Sequence, residues 1–177
     1  MKKNIIIIFL LIISYLVFFI QMAFFNNITM WGVKPNLILI YLTLLVTYTN
    51  KPAYIFVAII AGLIIDFSSS SIIGATTLSL LTATLIVEKF NNIIYTSSIY
   101  VDILKIAVAT IVYGIIYYLL CIAIKQSNFE GLVFLKILGI EIIYNTLIVM
   151  IIYPATSFIG SKLKAIYKNN NMLTRYF

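Results

Sequence analysis

Residues 5–25 run almost without a polar side chain, broken only by Ser14, Tyr15 and Gln21, and further apolar runs follow at short intervals. At about 1.5 Å per residue, the first run matches the ~30 Å hydrocarbon core of a bilayer. A segment of that length and composition predicts a membrane-spanning helix. Two lysines precede it, as in a secretory leader, but the run is too long for a leader's apolar core and no small-x-small cleavage site follows. It is therefore expected to stay as a first transmembrane helix.

The rest of the composition agrees. Hydrophobic residues make up 63% of the 177 positions and charged residues 10%, with a mean hydropathy of +1.13, far outside the range of a soluble domain. No polar stretch is long enough for a second domain, so one integral-membrane domain is expected over residues 1–165, with a short basic, flexible cytoplasmic tail at 166–177. There is no histidine, and Cys121 is the single cysteine. Imidazole catalysis, His/Cys metal sites and an intramolecular disulfide are thereby excluded, and Cys121 reads as a small apolar packing residue.

The net charge of +7 suggests nucleic acid until the cations are located. Lys2 and Lys3 stand at one end of the chain and Lys162, Lys164, Lys168 and Arg175 at the other, flanking apolar runs. Such placement fits a cytoplasmic face against anionic lipid, and nucleic-acid binding is not expected.

The expected spans are residues 5–25, 36–49, 53–67, 72–87, 103–124 and 132–158. Trp31, in the first loop, suits the membrane interface. The second span is short, and the fourth is rich in Ala, Ser and Thr, which places it inside the bundle. Residues 88–102 read as a polar connection, and the beginning of the last span, around Lys136, as a segment lying along the outer interface. Lys51, Lys89 and Lys105 join the terminal cations on one side, against Lys34, Lys125 and Lys136 on the other. The positive-inside rule then puts both termini in the cytoplasm of a six-span protein.

Three residues or groups stand out within the spans. Ala58 and Gly62 share a helix face at a four-residue spacing, which permits close approach of a neighbouring helix in the same bundle or of a partner. Asp66 falls at the outer end of the third span, followed by Ser68 to Ser71 and Gly74. An acid there either carries a proton or substrate, or caps the free amides of the next helix; capping is the preferred reading. Glu141 lies in the last span with Tyr144 and Asn145 one turn on. With no nucleophile and base and no metal-ligand set beside these acids, no catalytic residue, metal or cofactor is expected. Asn169 to Asn171 suit a disordered tail.

Three motifs resemble the MreD family of bacterial rod-shape-determining membrane proteins. Lys34-Pro35-Asn36-Leu37 is similar to a Lys-Pro-Asp-Leu pattern opening helix two, with Asn36 in place of the usual Asp. Gly62 to Asp66, the polar turn and Gly74 resemble a Gly-x-x-x-Asp, turn, Gly pattern. Tyr144-Asn145 and Tyr153-Pro154 are similar to pairs in the family's last helix. The resemblance implies a bundle of about six helices like the S component of energy-coupling-factor transporters. It also implies a non-enzymatic scaffold of the cell-elongation complex that binds MreC and, through it, MreB filaments, RodA and a class B penicillin-binding transpeptidase. Homo-oligomerisation stays open. The competing reading is an S component that binds a vitamin-like substrate, with Lys34, Asp66, Glu141 and Asn145 converging on one pocket. The large side chains along the first span weigh against it, because an S component docks through small residues there.

Overall fold

The computed structural model describes residues 2–24, 29, 31–68, 72–94, 98–125 and 130–173, with side chains from Ile6 to Ser161 within those ranges, except Lys125. Six helices follow in order: α1 (Lys2–Ala23), α2 (Leu37–Tyr48), α3 (Lys51–Ser68), α4 (Ala75–Ile93), α5 (Ile99–Lys125) and α6 (Gly131–Leu173). No strand occurs among the described residues. α1, α3, α5 and α6 are each long and apolar enough to cross a membrane, so the all-α membrane fold expected is the one observed.

The short helix α2 is the centre of the bundle and packs against all five others. Its sequence LILIYLTLLVTY is apolar on every side, as suits a helix enclosed by protein. Ile38, Leu39, Ile40, Leu42 and Leu45 are all buried. Around them close Leu10 of α1, Tyr54 and Val57 of α3, Leu80 and Val87 of α4, and Ile106 of α5. α4 turns Ala75, Thr76, Ser79, Leu80, Ala83, Thr84 and Val87 inward. Two of its buried hydroxyls return to their own helix, Ser79 Oγ donating to the Ala75 carbonyl at 2.7 Å and Thr84 Oγ1 to the Leu80 carbonyl at 2.6 Å. Small inward residues thus let α4 approach its neighbours closely.

Three boundaries differ from the sequence reading. Residues 88–93 continue α4 instead of opening a connection, and Glu88 meets Lys51 Nζ of α3 at 3.0 Å. α5 begins at Ile99, so Asp102 lies in its first turn; Thr96 and Ser97 lie outside the described residues. α6 is one helix from Gly131 to Leu173, running through Pro154 and through Asn169 to Asn171, where a disordered tail was expected. Its beginning packs on α5, with the Phe134 ring stacked on Tyr118 at 4.4 Å. In each case charged or amide side chains near a helix end suggest a loop, although the backbone there continues as helix.

Candidate functional site

Asp66 is 1% exposed and locks the corner between α3 and α4. Its Oδ2 accepts from Gly74 N at 3.0 Å, Thr77 N at 3.1 Å and Thr77 Oγ1 at 2.6 Å, and its Oδ1 from Thr76 N at 3.0 Å. Ala75 N donates to the Ile72 carbonyl at 3.1 Å. All four free amides at the start of α4 are thereby satisfied, three of them by a side chain from the preceding helix. The carboxylate also faces the positive end of α4. Gly74, the N-cap, has φ 91° and so occupies the left-handed region that glycine adopts without strain.

The second arrangement follows from the length of α2. Twelve residues span about 18 Å, well short of a ~30 Å hydrocarbon core, so both helix ends need partners inside the protein. At the N-terminal end, Asn36 Oδ1 accepts from Leu39 N at 3.0 Å, and Gln21 Oε1 of α1 accepts from Ile38 N at 3.2 Å. The Asn36 amide donates to Asn145 Oδ1 at 2.9 Å, and Asn145 Nδ2 donates to Thr110 Oγ1 at 3.0 Å. Asn145, wholly buried, ties α2, α5 and α6 together. The Asn36 departure therefore keeps the capping chemistry that an aspartate would supply.

At the opposite end, Lys105 of α5 is buried and donates to Thr47 Oγ1 at 3.2 Å, while its ammonium lies 3.4 Å from Asp102 Oδ1. From sequence alone, Lys105 counts among the cytoplasmic charges and Asp102 falls in the polar connection before α5. Their spacing of three residues was the available signal, because it stacks both on one helix face once α5 starts at Ile99. Gly160 of α6 closes this end: a Cβ there would stand 2.5 Å from the Tyr48 ring.

The remaining sequence candidates are dispersed. Ala58 and Gly62 are buried on α3, Gly62 against Thr77 of α4, Pro35 is buried, and Lys34 is exposed. Tyr144 and Tyr153 are half-buried on α6, and Pro154 is exposed. Glu141 lines a cavity between α5 and α6 that none of Lys34, Asp66 or Asn145 lines. The four residues named for a vitamin pocket therefore do not share this cavity, and two of them are committed to helix ends.

A protein-family model described as MreD, rod shape-determining protein MreD, matches residues 2–159. That range takes in α1 to α5, most of α6 and every motif above. No curated protein and no solved structure matches the chain.

Proposed function

Since the chain belongs to the MreD family of rod shape-determining membrane proteins, we propose that it is a non-enzymatic scaffold of the bacterial cell-elongation complex. In this reading it is a multi-pass protein of the cytoplasmic membrane with both termini inside and an S-component-like bundle. It binds MreC within the membrane and, through it, organises MreB, RodA and a class B penicillin-binding transpeptidase for peptidoglycan synthesis. The family match over residues 2–159 carries the proposal. The polar geometry supports it, because Asp66, Asn145 and Lys105 are spent on holding helices in register and not on a reacting group. A rigid bundle of this kind presents fixed outer faces. α1, with Ile8, Phe9, Ile12, Leu16 and Phe19 exposed, suits lipid or a partner's single transmembrane helix.

Depletion in a rod-shaped host tests the role. Cells are expected to round and to recover when the gene is restored, and MreC is expected to copurify in mild detergent. Rod shape unchanged on depletion, or a copurifying vitamin in place of MreC, would overturn the proposal.

A further inference from the structure

A cavity of about 510 Å³ lies between α5 and α6, within the size range of small-molecule sites. Tyr113, Tyr117, Tyr118 and Phe134 line it, and two carboxylates face it, that of Glu141 within the span and that of the exposed Glu130. The rings are ordered in pairs: Tyr113 stacks on Tyr117 with centroids 5.8 Å apart, and Tyr118 on Phe134 at 4.4 Å. Asp66, Glu88 and Asp102 each have a partner within the bundle. Among the described residues, the Glu141 carboxylate has neither an ion pair nor a hydrogen bond, and no lysine or arginine lines the cavity. A carboxylate inside an apolar span calls for a counter-charge, and aromatic faces carry the negative part of the ring quadrupole. Both kinds of wall attract a cation.

Next to this cavity is an open apolar groove of about 870 Å³ that shares Tyr118 and Phe134 with it and continues past Ile115, Leu119 and Leu135. We infer that the α5–α6 cavity binds an amphiphilic organic ammonium ion, its head against Glu141 and the tyrosine rings and its apolar body along the groove. The site goes beyond the shape-determining role and does not depend on it. Two sources share the chemistry: the amine of a phosphatidylethanolamine headgroup and a free amphiphilic amine.

The test uses the full chain in nanodiscs of phosphatidylglycerol, titrated with phenyltrimethylammonium and followed by tyrosine fluorescence. Saturable binding is expected, weakened about tenfold or more in Glu141→Gln and in Tyr117→Leu, the loss of one strong cation contact. The neutral isostere tert-butylbenzene is expected to show no saturable binding. That comparison is made on the unaltered protein and so holds even where a variant folds poorly. In nanodiscs containing phosphatidylethanolamine, a reduced probe affinity assigns the site to the lipid headgroup, and an unchanged affinity assigns it to a free amine. Equal binding of the neutral isostere, or full affinity in a folded Glu141→Gln variant, overturns the inference.

Discussion

A Cβ on Gly62 would stand 2.5 Å from the Cα of Thr77 and 2.9 Å from its Oγ1, so α3 and α4 meet here backbone to backbone. One turn along α3, Asp66 reaches the same threonine, accepting from its amide and its hydroxyl. The two contacts depend on each other. Only a helix this close lets a side chain as short as aspartate cap the amides of its neighbour.

Gly62→Ala is therefore expected to push the helices apart and destabilise the protein by about 1–3 kcal/mol, outweighing the ~1 kcal/mol that alanine contributes in a helix. Gly139, on α6, has no atom within 4 Å of an added Cβ. Gly139→Ala should be neutral or stabilising. Thermal midpoints of the purified variants in detergent compare the two sites, and an undisturbed Gly62→Ala protein would contradict the close contact.

Replacing Asp66 separates the parts of the cap. Asp66→Ala strands three backbone N–H groups and the Thr77 hydroxyl, a loss of at least about 3 kcal/mol. Asp66→Asn keeps one oxygen for Gly74 and Thr77 but sets an amide against Thr76 N–H, and should lose about half as much. Thr77→Val removes one charge-assisted bond, worth about 1.5–3 kcal/mol. Unfolding midpoints should fall furthest for Asp66→Ala; equal midpoints for it and the parent protein would rule out the capping role.

The α3–α4 corner is legible in the sequence because each part leaves a local mark. Asp66 interrupts an apolar run, a polar turn follows, and Gly74 supplies the left-handed residue. The Asn36–Asn145 contact joins residues 109 positions apart, and nothing local to either reports the other. Asp102 and Lys105 fail differently. A charged residue at the edge of an apolar run looks the same whether it is solvated or buried, and the difference lies in α2, whose short length brings Thr47 within reach of Lys105.

Lys105 and Asp102 are 1% and 2% exposed, so each is costly without the other. Lys105→Met leaves the Asp102 carboxylate buried without its cation and should destabilise by about 3–5 kcal/mol. Combined with Asp102→Asn, the same change should cost less than the sum of the two single losses, by about 1–3 kcal/mol. A double-mutant cycle on unfolding midpoints measures this difference, and strict additivity would show that the pair is not coupled.

Asn145 tests whether the short central helix depends on partners beyond its own sequence. Its carbonyl takes the Asn36 amide and its Nδ2 reaches Thr110, so Asn145→Leu removes both bonds while keeping a similar volume. Hydrogen bonds between membrane helices are individually modest, and about 1–2 kcal/mol is expected here. Thr110→Val removes only the second bond, so it should cost less and leave the start of α2 intact. Hydrogen exchange at the Asn36 amide separates the two variants: rapid in Asn145→Leu, slow in Thr110→Val. Equal protection in both would mean that α2 holds its N-terminal end without Asn145.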